Sequence, residues 1–371
     1  MTVSAGPDFE RRVYAVLGLP FDAIDEAEAA RCVCAAAAAR QRCFLSTPNL
    51  NFAVACRSDA AFRHSVLVSS LSVADGWPIV RAARWVGAAV TSKVAGSNLF
   101  ERLRSSSLQP PLRVFFFGGP PGVAERAHQV LSGATQGICS VGFHAAGFGD
   151  VASMSTDQIR SAIDRAQPDF LVVSLGASKG QRWILQNMVH LEVPVVSHLG
   201  AVVNFVAGTV TRAPRWVQRL NGEWFWRILQ ERSLFGRYWN DGRRLLGIVL
   251  RDLLPLSRWL RQHAPTDTAL ESARIEVIRG DEGPTLALEG AWCEANARPL
   301  REALRDLVAE GRPVRVDLGR ATYLDSAVLG LLMLLHGWHT RQGLPGTVAG
   351  ASPEARFILA KSQAAYLLRE P

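Results

Sequence analysis

The chain is poor in cysteine and nearly devoid of lysine. Its six cysteines form no CxxC pair and no regular disulfide spacing. We therefore expect reduced thiols in a cytosolic protein, without a disulfide framework and without a metal site. Only three lysines occur, Lys93, Lys179 and Lys361, so arginine carries the positive charge of the chain.

Long apolar runs are absent as well. The alanine run 35–39 is too short to span a bilayer, and the apolar stretch 245–256 is interrupted by Arg251 and Asp252. The stretch 245–256 is therefore interpreted as an interfacial helix. The opening residues have neither the basic nor the apolar region of a signal peptide, so none is expected.

What remains is an ordinary globular composition with an uneven charge. Hydrophobic residues make up 48% and charged residues 20% of the 371 residues, enough for two domains with cores of their own. Of a net charge of +8, most lies in residues 212–261, which hold eleven arginines, four acidic residues and five of the ten tryptophans. Partners for such a segment are an anionic membrane, a polyphosphate or a nucleic acid.

Buried strands alternate with helical patterns through the first two hundred residues. The strands are expected at 43–45, 65–73, 113–117, 170–175 and 193–197, and helices at 22–40 and 123–131. Continuous apolar strands of this kind predict an α/β fold with a Rossmann-like doubly wound parallel sheet, which binds ligands at the carboxyl ends of its strands.

Polar residues follow two of these strands. Thr47 and Asn49 come after the first strand, and Asp75 with Gly76 comes after the next. A carboxylate beside a glycine could act as a general base toward a sugar hydroxyl. Taken alone, the first motif is better explained by a capped turn, and the second is weak evidence because Asp-Gly turns are common.

Three further loops could hold a diphosphate. Lys93 precedes Val94-Ala95-Gly96-Ser97-Asn98, and Gly118 and Gly119 end a strand without forming a Walker loop. Lys179 and Gln181 lie in another loop between a strand and a helix, 176–183.

The order of these pieces resembles the WecG/TagA/CpsF glycosyltransferases. The matching segments, in chain order, are Gly18-Leu19-Pro20-Phe21-Asp22, Thr47-Pro48-Asn49, Ala74-Asp75-Gly76, Val94-Ala95-Gly96-Ser97, Phe117-Gly118-Gly119, Gly176-Ala177, Phe205-Val206-Ala207-Gly208 and Arg212-Ala213-Pro214-Arg215-Trp216. The resemblance covers some 230 residues.

The resemblance implies an inverting, metal-independent transfer, without a cofactor, from a UDP-sugar to a polyprenyl-diphosphate-linked sugar. The donors it implies are UDP-linked N-acetylmannosamine, its uronate or glucose, and the setting is the inner face of the cytoplasmic membrane, in envelope or exopolysaccharide assembly. Asp75 matches the family's proposed base, and Thr47 and Asn49 match its sugar-nucleotide contacts. The donor is less determined, because Gly180 and Asn98 depart from the family pattern.

The basic segment matches the family's membrane-touching appendage. Arg227, Arg232 and Arg237 are the candidates for binding the leaving diphosphate, since guanidinium groups bind phosphates in pairs of hydrogen bonds. A solvated basic helix would explain these arginines but not the tryptophans between them.

Residues 316–332 resemble the signature of STAS domains. The likeness extends over about 274–368 and predicts a small α/β domain after a flexible linker near 262–271. Ser326 stands where regulatory members are phosphorylated, at a helix N-terminus that favours negative charge. A structural helix-capping serine in a docking domain is an equal alternative.

The sequence thus predicts three parts: a transferase core at 14–211, a membrane-associating appendage at 212–261 and a STAS-like domain at 272–371. Three functions are weighed. The first is an active glycosyltransferase with a regulatory or docking module that binds a protein partner, and Asp75 favours it. The second is a catalytically weakened member that serves as a membrane-associated scaffold or regulator. The third, a nucleic-acid binder, is not expected, because no recognition motif is present.

Overall fold

A short hairpin opens the structure, a computed structural model that describes residues 6–147, 149–214, 216–217, 222–230 and 234–368. Strands β1 (Val13–Val16) and β2 (Leu19–Asp22) pair antiparallel and are buried throughout. Arg11 fixes the hairpin, because its guanidinium binds both carboxylate oxygens of Asp22 at 2.9 and 2.7 Å. The same carboxylate accepts a hydrogen bond from the backbone of Ser72 at 2.7 Å.

The predicted doubly wound sheet is confirmed. Its strands are β3 (Cys43–Ser46), β4 (Leu71–Ser72), β5 (Leu112–Gly118), β6 (Ile138–His144), β7 (Phe170–Ser174) and β8 (Val195–His198). They lie in the order β4-β3-β8-β7-β5-β6, and every pair is parallel. All six carboxyl ends therefore meet at one edge of the sheet.

Helices cover both faces of this sheet. They are α1 (Glu26–Ala38), α2 (Leu50–Ala55), α3 (Ala60–Leu67), α4 (Trp77–Trp85), α5 (Gly96–Arg104), α6 (Val123–Leu131), α7 (Asp157–Arg165), α8 (Ala177–Asn187) and α9 (Val202–Val206). The strand expected at 65–73 is wrong in its first half. Asp59 caps the start of helix α3, where its carboxylate accepts from the backbone of Phe62 at 2.9 Å, and residues 65–67 form the end of that helix. Only Leu71 and Ser72 pair in the sheet.

From residue 223 onward, the described part of the basic segment is helical, as its spacing predicts. Helices α10 (Glu223–Gln230) and α11 (Leu234–Ile248) are followed by a π-helical turn, Val249–Leu253, and by α12 (Leu254–Gln262). Ile248, Leu253 and Leu256 are buried in the core, at 1–2% exposure. This segment therefore packs firmly at its C-terminal end.

The C-terminal part is a small α/β domain with its own sheet. Strands β9 (Arg274–Gly280), β10 (Gly283–Trp292), β11 (Arg315–Leu324) and β12 (Val348–Ala351) lie in the order β12-β11-β10-β9. The helices are α13 (Asp267–Glu271), α14 (Arg298–Ala309), α15 (Ser326–Gln342) and α16 (Pro353–Lys361). Helix α13 occupies part of the region expected to be a linker.

The two parts share one hydrophobic core, which the sequence did not predict. Buried side chains of the hairpin and α3, such as Val13 and Val66, belong to the same cluster as Leu331 and Leu335 of α15. Polar contacts cross the same boundary: Tyr366 donates to the carbonyl of Gly18 at 2.9 Å. The expectation of two modules joined only by a flexible linker is therefore wrong in this respect.

Glycines let α15 approach the hairpin and α3 closely. A Cβ on Gly330 would lie 2.7 Å from the carbonyl oxygen of Val13, and one on Gly337 would lie 2.8 Å from that of Leu67. Real Cβ atoms do not approach backbone oxygens this closely, so the helix can pack here only without side chains at these positions.

Replacing Gly330 with alanine tests this packing. At a helix position with free space around it, glycine to alanine raises the free energy of unfolding by about 1 kcal/mol through helix propensity. Here the clash should reverse the sign and lower the free energy of unfolding of the full chain by about 1–3 kcal/mol. Urea unfolding measures the difference. Gly242→Ala is the matched control, because Gly242 lies in helix α11 with open space around it. Equal effects of the two changes would contradict the close packing.

Candidate active site

Most predicted site residues gather at the carboxyl edge of the large sheet. Thr47 and Asn49 follow β3, Asp75 follows β4, and Gly118 and Gly119 end β5. Lys179 follows β7 on the first turn of α8. The parallel strands therefore bring the separate motifs to one edge of the sheet, where doubly wound folds have their ligand crevice.

Backbone hydrogen bonds hold the loop of Asp75 in place. The amide of Asp75 donates to the carbonyl of Pro48 at 3.0 Å, and the amide of Val94 donates to that of Ala74 at 2.8 Å. Three loops are thereby joined: the one after β3, the one after β4 and the one that carries Lys93. Asp75 is partly exposed, immediately before Gly76 at the start of α4.

Thr47 and Asn49 have different surroundings. Thr47 is buried at 5% exposure, and a Cβ on Gly96 would lie 3.4 Å from its hydroxyl oxygen, so it contacts the start of α5. Asn49 caps α2, since its side-chain oxygen accepts from the backbone of Phe52 at 3.2 Å. Its amide nitrogen is the group left to meet a ligand, because the oxygen serves the cap.

Arg212 is a site residue that the sequence reasoning did not single out. Its guanidinium donates to Asn98 at 2.5 Å and to Ser97 at 3.4 Å, at the N-terminus of α5. It also lies 5.6 Å from the ring centre of Phe205. A cation is thus fixed beside the loop of Thr47. The Arg-Ala-Pro-Arg motif was the sequence signal that could have identified Arg212. Asn98, which departs from the family pattern, is the residue that accepts the hydrogen bond from this arginine.

The appendage is attached to this edge by polar contacts. Lys93, predicted to bind substrate, forms an ion pair with Glu223 of α10 at 3.0 Å. Asn51, on the first turn of α2, donates to Asp241 of α11 at 3.2 Å, and Asp241 is 7% exposed. Helices α10 and α11 therefore lie against the loops that follow β3 and β4.

Gly118 and Gly119 approach a neighbouring strand end. The amide of Gly119 donates to the carbonyl of Ser174 at 2.6 Å, and the hydroxyl of Ser174 donates to the carbonyl of Gly200 at 2.9 Å. A Cβ on Gly118 would lie 2.8 Å from the carbonyl oxygen of Ser174, so the glycine allows the ends of β5 and β7 to pack closely.

The side chains of Lys179 and Gln181 form hydrogen bonds with other parts of the protein. The ammonium of Lys179 donates to the carbonyl of Gly149 at 2.7 Å, in the loop after β6. Gln181 is fully buried and hydrogen-bonded to the hydroxyl of Ser46 at 3.2 Å. Gln181 therefore supports the end of β3 in this structure, and direct contact with a substrate would require it to move.

The structure explains why a glycine occupies position 180. A Cβ at this position would lie 2.2 Å from the ring of His198, which is 8% exposed at the end of β8. Burial lowers the pKa of His198, although the hydrogen bond from its Nε2 to the carbonyl of Leu175 at 2.6 Å raises it. The lowered pKa favours the neutral ring, which packs against the first turn of α8 at Gly180.

The predicted arginines of the appendage fall outside what the structure describes. Arg232 lies outside the described residues, and so do the side chains of Arg227 on α10 and Arg237 on α11. Among the described residues, no three His, Cys, Asp or Glu side chains are grouped as a metal site. In the same residues, no helix combines the length and the apolar character that crossing a bilayer requires.

This arrangement defines a class of protein: a doubly wound α/β enzyme with its ligand crevice at the carboxyl edge, closed by a helical appendage. Residues 14–258 match the model of the Glycosyl transferase WecG/TagA/CpsF family, so the chain belongs to that family and is a glycosyltransferase. Residues 275–368 match the model described as the Mlab, STAS domain. Both family resemblances read from the sequence are confirmed.

Two relatives carry the same printed activity, that of an N-acetylglucosaminyldiphosphoundecaprenol N-acetyl-beta-D-mannosaminyltransferase. The one from Bacillus subtilis (strain 168) is 29% identical over 186 residues, which are 50% of this chain and 70% of the relative. The one from Staphylococcus aureus (strain MRSA252) is 25% identical over 194 residues, 52% of this chain and 74% of the relative.

Exchanging the charges of Lys93 and Glu223 tests whether Lys93 holds the appendage in place or binds the substrate. Lys93→Glu should loosen the appendage and lower transfer severalfold, because a half-exposed ion pair of about 1 kcal/mol is replaced by repulsion. If docking is its role, adding Glu223→Lys should restore activity. Arg102→Glu, which reverses the distant pair with Glu26, is the control and should have no effect. An exchange that fails to restore transfer would instead mean that Lys93 contacts the substrate.

Proposed function

We propose that this protein transfers a sugar from a UDP-sugar to a polyprenyl-diphosphate-linked sugar, with inversion and without a metal, in envelope or exopolysaccharide assembly. N-acetylmannosamine is the favoured donor sugar, because both relatives are named for its transfer. Its uronate and glucose are the alternatives. The enzyme works at the inner face of the cytoplasmic membrane.

One observation supports the proposal: the loops that carry Thr47 and Asp75 are hydrogen-bonded to each other at the carboxyl edge of the sheet, and Arg212 is bound at the same edge. Backbone bonds tie the Asp75 loop to Pro48, directly after Thr47, and Thr47 contacts Gly96. Arg212 is bound by the two residues that follow Gly96. A carboxylate, a hydroxyl and a guanidinium thus lie on neighbouring loops at the strand ends, which is where a sugar nucleotide would bind in a sheet of this type.

The chemistry follows from these groups. Asp75 removes the proton from an acceptor hydroxyl, and the oxygen attacks the anomeric carbon of the donor as the bond to UDP breaks. Attack opposite the leaving group inverts the anomeric centre. Negative charge then develops on the diphosphate, and Arg212 lies on the side of the crevice where it could stabilise this charge. Arg227, Arg232 and Arg237 remain further candidates for the same task.

The appendage is suited to an anionic membrane. Exposed large apolar side chains are concentrated there: Trp216, Trp224, Phe225, Leu229, Phe235, Trp239, Leu246 and Leu250. On α11 and the following turn, Phe235, Trp239, Leu246 and Leu250 are spaced to share one helical face. Arg243 lies next to that face, and the exposed apolar face itself is what a helix in a lipid interface presents.

For the C-terminal domain we propose docking to its own transferase core. Ser326 begins α15 but is only 6% exposed, and its hydroxyl donates to the carbonyl of Ala15 at 2.8 Å. The N-cap is Asp325, which accepts from Val328 at 2.9 Å. A kinase could reach Ser326 only after α15 leaves the hairpin, so phosphorylation or a protein partner would act on a separated domain.

Asp75→Asn tests the catalytic proposal. Turnover with UDP-N-acetylmannosamine and a polyprenyl-diphosphate-linked acceptor should fall by roughly two to four powers of ten, since the amide cannot accept the proton. UDP binding, measured by calorimetry, should persist. Asp59→Asn is a control at a carboxylate on the far side of α2. Undiminished turnover in Asp75→Asn would remove Asp75 from this role, and no turnover of any UDP-sugar by the native protein would favour the scaffold alternative.

Removing apolar side chains from α11 tests the membrane proposal. Trp239→Ala with Leu246→Ala should weaken binding to phosphatidylglycerol vesicles at least tenfold, because each buried side chain contributes about 1.5–3 kcal/mol. Vesicle co-sedimentation provides the measurement. Val277→Ala with Ile278→Ala removes exposed apolar groups from β9 instead and should leave binding intact. Equal losses in the two variants would contradict a specific role for α11.

A further inference from the structure

Two adjoining cavities lie where the transferase core, the appendage and the C-terminal domain meet. The first, of about 550 Å³, is lined by Gly18, Arg57, Arg63, Arg244, Gln363 and Tyr366 among others. The second, of about 450 Å³, is lined by Arg57, Asn240, Arg243, Arg244, Arg251 and Asp252 among others. Arg57 and Arg244 line both, so the two form one cleft, hereafter the arginine cleft.

The arginine cleft is strongly cationic. Its lining holds five guanidinium groups and one carboxylate, that of Asp252. Asp252 is already engaged, since Gln363 donates to it at 2.7 Å and Lys361 lies 3.4 Å away. In the described part of the chain, Arg57, Arg243, Arg244 and Arg251 form no ion pair, although many other arginines do.

Part of the cleft wall is rigid. Arg63 donates to the carbonyl of Cys56 at 2.8 Å, and its guanidinium lies 4.2 Å over the ring of Tyr366. Tyr366 in turn is fixed by its hydrogen bond to Gly18. One guanidinium is therefore already oriented, with part of its hydrogen-bonding capacity unused, before any ligand arrives.

We propose that the arginine cleft binds a ligand that carries a diphosphate. Four unpaired guanidinium groups at one cleft repel one another, and a polyanion removes that repulsion while accepting their paired N–H donors. The cavity volumes fit a phosphorylated head group or a nucleotide. The occupant is either a diphosphate lipid head group from the adjoining membrane or a soluble diphosphate.

This site is distinct from the crevice of Asp75. No residue that lines the cleft belongs to the predicted catalytic or substrate-binding set, and the cleft lies past the C-terminal end of α2, whereas Asn49 caps its N-terminal end. Its walls come from both domains, so a bound ligand would strengthen their contact. The proposal does not depend on which sugar the enzyme transfers.

Calorimetric titration of the full chain with inorganic pyrophosphate tests the site. Arg57→Gln with Arg244→Gln removes the two arginines common to both cavities and should weaken a pyrophosphate-binding event at least tenfold. Arg243→Gln with Arg251→Gln should weaken the same event. Arg31→Gln with Arg298→Gln removes equal charge at exposed positions elsewhere and should titrate like the native protein. Native-like titration of both cleft variants would overturn the proposal.

Vesicles then identify the source of the diphosphate. If a lipid head group is the occupant, the Arg57/Arg244 variant should pellet less with phosphatidylglycerol vesicles than the control, and pyrophosphate should release the native protein. If the occupant is soluble, all variants should pellet equally while the calorimetric difference remains. Either result supports the site. Loss of pyrophosphate binding in the control variant as well would mean that net charge alone is responsible, which refutes it.

Discussion

The close packing of α15 on the N-terminal hairpin is the contact on which the rest of the architecture depends. It places backbone against backbone at Gly330 and Val13 and buries Ser326 against Ala15. The hairpin is itself closed by the paired hydrogen bonds from Arg11 to Asp22, and the bond from Ser72 to the same carboxylate joins it to the large sheet. The small domain is thereby connected, through the hairpin and the buried carboxylate of Asp22, to the strand that precedes Asp75.

This connection gives the C-terminal domain a physical relation to the enzyme. A STAS domain suspended from a free linker could be removed without consequence for the core, but here its removal would expose Val13, Val66 and their neighbours to water. The appendage lies between the two, bound to the active edge by Asp241 and Glu223 and to the small domain by Asp252. The same set of helices therefore contacts the active edge and the domain junction and carries the surface proposed to bind the membrane.

Much of this could be predicted from the sequence, and the limit has a physical cause. Continuous apolar strands with polar residues at their ends predicted the parallel sheet and placed Thr47, Asn49 and Asp75 at one edge, because apolar runs are a local signal and parallel strands end at the same edge. The partners of Lys93, Gln181 and Gly180 are 18 to 135 residues away along the chain, and no local pattern predicts them. The glycines of α15 were visible in the sequence, but nothing in a helix pattern says which surface a glycine must meet.

Differential scanning calorimetry of the full chain tests the central claim most directly, that the two domains fold around one core. The account predicts a single transition whose calorimetric and van't Hoff enthalpies agree, since the shared cluster cannot survive the loss of either domain. Two separate transitions, with the small domain melting while the large sheet stays folded, would contradict it. In that case the contacts of α15 with the hairpin would be incidental, and the C-terminal domain would be an independent module.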